Sequence, residues 1–230
     1  MSLILYGAPL SPFVRKADVT LREKGLEFEL EPVNIMPMPD WFKEISPAKR
    51  IPVLRDTDYG KEGAVGTIPD SSAICAFLDR KYPDVPLYPS DPYEYGRALF
   101  YEEYADTVLM APIGLGIFRP IMFNVFQKKD PDLDRARKTL AEEMPPIFDY
   151  LEGELDGKTF LVGERLSIAD VTVACCLTQL TLVAGNPDVS RWPALVGHYE
   201  RMMARESFQP SLAMCRKVVP QTFLQAEGGD

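Results

Sequence analysis

Every stretch of this chain that patterns as a β-strand lies in its first 70 residues, the last of them ending near Ile68. A proline-rich segment, DVPLYPSDP, follows, and beyond it apolar residues recur only at helical spacing. Any sheet must therefore be completed by the first third of the molecule, and the remainder must form its own helical core. A chain of 230 residues has room for two such domains. The expected boundaries are an α/β domain at residues 1–83, a linker at 84–91 and an all-α helical bundle domain at 92–230.

SLILY reads as a first strand, and SPFVRKADVTLREKG as a helix with Val14, Ala17 and Leu21 on one face and Gly25 at its end. LEFELEPVN alternates apolar and acidic residues, as a half-exposed strand does. Strand, helix, strand within about 35 residues is a βαβ unit with a parallel pair. A short helix is expected around Trp41 to Ile45, then a strand opened by Pro52, a turn-rich loop DTDYGKEGAVGT, and a fourth strand. DSSAICAFLDRKYP reads as a helix burying Ala73, Ile74, Phe77 and Leu78. The order βαβ-ββα is thioredoxin-like. After the linker, DPYEYGRALFYEEYADTVLMAPIG opens a long helix, and DPDLDRARKTLAEEMPPIFDYLEGEL reads as a second. SIADVTVACCLTQLTLVAG is apolar on almost every side and reads as the central buried helix, with WPALVGHYERMMAR after it.

Net charge is −9, which argues against nucleic acid or an anionic membrane surface as partner, since both need a basic face. The cysteines, Cys75, Cys175, Cys176 and Cys215, have no metal-ligand spacing and read as reduced thiols, suiting a cytoplasmic compartment. MSLILYG lacks the features of a signal peptide, and no run of about 20 apolar residues is evident for a membrane span. No metal and no permanently bound cofactor is expected. His198 is the only histidine, so a Ser-His-Asp hydrolase is excluded unless His198 serves it.

Four local patterns admit more than one reading. Ser11 precedes Pro12, an ordinary helix start in which the serine caps the helix. Pro52 in KRIPVL stands at a strand mouth, where proline is tolerated. With a trans bond it is unremarkable; with a cis bond the Ile51 N–H and C=O face outward, able to pair with an extended peptide. Asp70 and Ser71 open a helix; either caps that helix, or its N-terminal N–H groups receive a carboxylate. Ser167 to Asp170 has the form of a capping box, a stabilising feature with no chemistry.

Together, YGAPLSPFVRK, KRIPVL, DSSAICAFLDRKYP, the proline-rich linker and LVGERLSIADVTVA resemble the cytosolic glutathione transferases, over nearly the whole chain. The resemblance implies a thioredoxin-like half with a cis-proline, a helical half lining a second-substrate site, and a homodimer. Glutathione would be co-substrate and a small electrophile the second substrate. Ser11 matches the catalytic serine of the plant-type and theta-like classes. Ile51, before Pro52, would pair its backbone with the cysteinyl part of glutathione, and Ser71, beside Asp70, would hold the γ-glutamyl carboxylate. Arg50 would meet the glycyl carboxylate, with Lys43 and Lys49 as alternatives. The chain departs from the family where N-P-x-G-K-V-P reads S-P-A-K-R-I-P, and in its long 57–68 loop.

Under this resemblance Ser11 acquires a chemical role. A free thiol has a pKa near 8.5, and the thiolate is the nucleophile. A serine hydroxyl at the positive end of a helix would stabilise that anion. Tyr6, at the end of the first strand, is the rival, because other classes use a tyrosine there. Position 11 is not cysteine, which disfavours mixed-disulfide chemistry. Tyr101, Tyr104, Met110, Phe118 and Met122 are either core or pocket; Tyr104 and Arg119 are the polar groups expected to reach the second substrate. Conjugation, peroxide reduction, dehalogenation and ether cleavage all fit this scheme, as does a binding protein of the same fold without turnover.

Overall fold

The computed structural model describes residues 2–224; Met1 and residues 225–230, the ends of the two expected domains, lie outside it. Four strands, β1 (Leu3–Tyr6), β2 (Glu29–Glu31), β3 (Val53–Asp56) and β4 (Thr67–Ile68), form one sheet in the order β2-β1-β3-β4. β1 runs parallel to β2 and antiparallel to β3, and β4 is antiparallel to β3. The helices of this half are α1 (Pro12–Glu23), α2 (Asp40–Ile45) and α3 (Ser71–Lys81). The βαβ-ββα order is the one expected, and the Ile51–Pro52 bond is cis. Strand β2 is shorter than its alternating pattern suggested, because only Glu29 to Glu31 meet β1.

Helix α1 ends as its sequence dictates. Gly25 takes φ +65°, its N–H bonds the Arg22 carbonyl at 3.0 Å, and the Leu26 N–H bonds the Leu21 carbonyl at 3.0 Å. This pair of bonds is a Schellman ending, which glycine accommodates without steric cost.

The helical half starts with α4 (Pro92–Tyr104), which continues through two π-helical stretches, Ala105–Leu109 and Pro112–Phe118, into α5 (Arg119–Phe126). The rod Pro92–Phe126 is apolar enough, with a mean hydropathy of 1.6 in one window, to match a membrane span by length and composition. That overturns the expectation that no such run exists. Ile113, Ile117 and Ile121 of the rod are nevertheless fully buried in the helical core, where the rod packs on α8 (Ile168–Ala184).

The helix expected from residue 130 to 155 is two helices, α6 (Leu133–Glu142) and α7 (Met144–Leu155). Pro145 and Pro146 explain the break, since neither can donate to the preceding turn and each ring crowds it. All of α8 but Thr181 is buried, as its uniformly apolar sequence predicts. α9 (Pro193–Met203) is the last helix expected from sequence, and α10 (Gln209–Val218) follows unforeseen. The two halves join where α1 lies between α3 and α8. In α3, Ala73 is exposed rather than buried, and Cys75 takes the inner position instead.

Candidate functional site

Because β3 runs antiparallel to β1, with Tyr6 opposite Val53, the end of β1 and the start of β3 share one edge of the sheet. The end of β4 returns to that edge, with Ile68 opposite Leu54, and α3 starts just beyond it. Ser11, the Ile51–Pro52 turn and Ser71 are thereby brought to one end of the sheet. Gly7 makes the close approach possible: it adopts φ +144°, and a Cβ there would lie 2.6 Å from Val14 Cγ2 and 3.3 Å from Ile51 Cβ.

Ser11 occupies the N-cap position of α1, half-buried, and its side chain makes no capping hydrogen bond. The simple capping reading therefore fails for the hydroxyl. Among the described residues only its backbone is engaged, the N–H donating to the Ala8 carbonyl at 2.9 Å and the carbonyl accepting from the Arg15 N–H at 3.0 Å. Pro12 has no N–H, and no acidic residue occupies the first turn of α1. The positive end of the helix is left without a counter-charge of its own.

Among the described residues the Ile51 N–H and C=O have no hydrogen-bond partner. Arg50 and Lys49 are exposed, while Lys43 is paired with Asp40 at 2.7 Å. Asp70 caps α3, accepting from the Ala73 N–H at 3.0 Å. Ser71 is buried at the first turn of α3, and its hydroxyl has no partner among the described residues. Tyr6 is buried, its ring edge-on to Trp41 and Phe42 at 5.6 and 6.4 Å.

Two family patterns match this sequence: the glutathione S-transferase N-terminal domain over residues 5–86 and the glutathione S-transferase C-terminal domain over residues 110–206. The chain is 30% identical over 202 residues to the probable glutathione S-transferase DHAR1, cytosolic, of Oryza sativa subsp. japonica, covering 86% of this chain and 81% of that protein. The chain belongs to the glutathione S-transferase family. The transferase is also 29% identical over 206 residues to glutathione S-transferase theta-1 of Homo sapiens, spanning 84% and 81% of the two chains. The crystal structure of a glutathione S-transferase from Rhodospirillum rubrum F11 superposes with a TM-score of 0.81 at 27% identity, over 91% of each chain. By family this chain is a glutathione S-transferase enzyme.

The residues expected to meet a second substrate are not brought together. Tyr104 is half-buried on the long rod, its ring 4.9 Å from that of Tyr150. Burial and the neighbouring Tyr150 push its phenol up, so it remains a neutral donor at neutral pH. Arg119 lies about 20 Å further along the same rod, exposed, with its guanidinium over the Phe123 ring. Tyr101, Met110, Phe118 and Met122 of this transferase are buried in the core. A cavity of about 600 Å³ opens between α8, α9, α10 and the segment after it, lined among others by Thr178, Thr181, Tyr199 and Arg216.

Sequence reading missed the charged side of α1. Arg15, Lys16 and Asp18 of the transferase are all fully buried. Lys16 Nζ bonds Ser72 Oγ at 2.9 Å, Glu102 at 3.0 Å and Asp106 at 2.6 Å. Burial disfavours its charge, but the two carboxylates outweigh that and hold the ammonium above its ordinary range. Charged residues on a helix that must be covered on two sides were the available signal. His198, a lone helical histidine of the kind that is ordinarily structural or solvated, is buried with Nε2 2.9 Å from Asp170 Oδ1, a structural pairing at the start of α8. The four cysteines are free and buried. Burial pushes the Cys75 and Cys175 thiols up to about 12, so they stay protonated and unreactive. Among the described residues no cluster of His, Cys, Asp or Glu could hold a metal ion.

Proposed function

We propose that this transferase activates glutathione as its thiolate through the Ser11 hydroxyl and transfers it to an electrophilic, largely apolar second substrate. The observation that carries the reading is the Ser11 side chain, half-buried at the N-terminus of α1 and not bonded to its own helix. A hydroxyl donor and an uncompensated helix N-terminus both favour an anion at that place. Lowering a thiol pKa by two units needs about 2.7 kcal/mol, within reach of the two effects combined. Mixed-disulfide chemistry forms no part of this reading, because residue 11 is serine rather than cysteine.

Glutathione is recognised along its length in this reading. The unpartnered Ile51 N–H and C=O pair with its cysteinyl backbone beside Pro52. The Ser71 hydroxyl and the N-terminal N–H groups of α3 receive the γ-glutamyl carboxylate, with Asp70 holding that turn in place. Arg50 or Lys49 meets the glycyl carboxylate; Lys43, already paired with Asp40, is the weaker candidate. Tyr104, kept protonated, donates to the second substrate, and Arg119 lies too far along the rod to share that ligand. The protein acts as a cytoplasmic homodimer that removes reactive electrophiles, a setting that its reduced, buried cysteines suit.

Calorimetric titration with glutathione at neutral pH tests the binding half of this reading. Heat with a micromolar to millimolar dissociation constant is expected; no heat at about 10 mM, weaker than roughly −3 kcal/mol, refutes it. Turnover with glutathione across a panel of halides, aryl ethers, enals and hydroperoxides then identifies the electrophile.

A further inference from the structure

The segment that carries Ser11 is anchored from inside the protein by two side chains. Arg15 is fully buried and reaches back beneath the loop between β1 and α1, where its Nη2 donates to the Pro9 carbonyl at 3.0 Å. The same nitrogen lies 3.4 Å from Cys215 Sγ and 3.5 Å from Gln179 Oε1, while Nη1 donates to the Cys175 carbonyl of α8 at 2.7 Å. The Cys215 thiol of α10 donates to the Pro9 carbonyl as well, at 3.3 Å. Two donors from the helical half and from α1 thus converge on one loop carbonyl, two residues before Ser11.

This arrangement is costly for stability alone. Among the described residues Arg15 has no carboxylate within ion-pair distance, and its Nε has no partner. A buried guanidinium whose hydrogen bonds go to carbonyl, amide and thiol groups, with the Asp18 carboxylate acting on it only through space, loses more hydration than an apolar side chain of the same length would. The fork of donors does what an apolar side chain cannot: it fixes the loop to α8, all but one residue of which is buried. The loop needs such a fixture, since Pro9 and Pro12 have no N–H and Ser11 contributes only backbone bonds.

We infer that Arg15, together with Cys215, is a positioning residue that sets the Ser11 hydroxyl toward the glutathione thiol. The inference rests on the thiolate reading of Ser11 given above. Displacing a reacting group by about 1 Å costs up to about a hundredfold in rate, so a loosened loop should lower turnover while glutathione still binds through Ile51 and Ser71.

The test compares Cys215→Ala, Arg15→Lys, Arg15→Met and Ser11→Ala, with glutathione itself as probe. Ultraviolet thiolate absorbance gives the pKa of the bound thiol, and turnover of an activated aryl halide gives kcat and KM. Cys215→Ala removes one of the two Pro9 bonds without burying a new charge. It is expected to raise the bound-thiol pKa by part of the Ser11→Ala shift and to lower kcat roughly tenfold, with KM for glutathione changed by less than about twofold. Arg15→Met should do more, and Arg15→Lys should recover part of that loss. In a Ser11→Ala background, Cys215→Ala should move the thiol pKa no further, which a merely structural effect would not produce. If Ser11→Ala raises the pKa and Cys215→Ala leaves both pKa and kcat at wild-type values, the inference is overturned while the Ser11 reading stands. If Ser11→Ala leaves the pKa unmoved, both fall. Should the Arg15 variants not fold, the Cys215 pair of measurements decides alone.

Discussion

Lys16 Nζ lies 2.6 Å from Asp106 Oδ2, joining α1 of the sheet-bearing half to the long rod of the helical half by an ion pair whose lysine is fully buried. Glu102, one turn earlier on the rod, takes the same ammonium at 3.0 Å and also accepts from the Tyr88 hydroxyl of the linker at 2.9 Å. Ser72, next to the proposed γ-glutamyl site, completes the network. The two halves meet through charge as well as through apolar packing, and through Ser72 the contact reaches the first turn of α3 beside Ser71.

Removing the cation should expose what this contact holds. Lys16→Met leaves the buried Glu102 and the half-buried Asp106 without their counter-charge, which is expected to destabilise the protein by about 3 kcal/mol. Adding Asp106→Leu should recover part of the loss, because an apolar pair of similar volume does not carry the desolvation cost. Urea unfolding checks both, and a Lys16→Met loss below about 1 kcal/mol would contradict the account.

Asp170 is expected to matter for stability and not for binding. Its carboxylate accepts from the Leu161 N–H at 2.8 Å and from the Ser167 N–H and hydroxyl at 2.9 Å each, and it faces His198. Asp170→Ala strands those buried donors and should cost about 3–5 kcal/mol. Where the variant is folded, calorimetry should return a glutathione affinity within about twofold of wild type; a larger change would draw Asp170 into the binding site.

Acid should weaken the join between α1 and the turn before α10. Burial pushes the Glu23 carboxyl up, but Arg205, at 2.6 and 2.8 Å, and the Ser207 hydroxyl outweigh it and hold the group below its ordinary range. A carboxylate with a depressed folded-state pKa contributes stability above its unfolded value, about 4.3, and loses it as pH falls through the lower folded value. Wild type should therefore exceed Glu23→Gln in melting temperature at pH 6, and the difference should shrink steadily below pH ~4. A difference that is the same at both ends of that range would rule out the ionic contribution.

Self-association is expected at micromolar concentration. Sedimentation equilibrium should show twice the 25.9 kDa chain mass; a single species at the chain mass would remove the dimer from the proposal.

Much of the fold was legible because short-range chemistry specified it. Gly25 ends α1, the Ser167–Asp170 box starts α8, and period-2 against period-3.6 patterning divides sheet from bundle. The break between α6 and α7 was also written in the sequence, in Pro145 and Pro146, but helix-forming residues on both sides masked it. Only one of the buried faces of α1 was legible. Val14, Ala17 and Leu21 mark the side that meets the sheet, whereas Arg15 and Lys16 look solvated until α8 and the rod are placed over them. A local pattern cannot tell a charged face in water from one matched by distant carboxylates. The same reason hid Cys215: its partner Pro9 lies more than two hundred residues away.

The thiol pKa of bound glutathione in Ser11→Ala tests the central claim most directly, because it separates the chemistry of the hydroxyl from the mechanics of the helix start. The account predicts a folded variant whose bound thiol titrates about one to two pKa units higher than in wild type, the equivalent of about 1.5–3 kcal/mol of lost thiolate stabilisation. A bound thiol that titrates at the wild-type pH, beside a melting temperature lowered by loss of a helix start, would contradict it and turn attention to Tyr6.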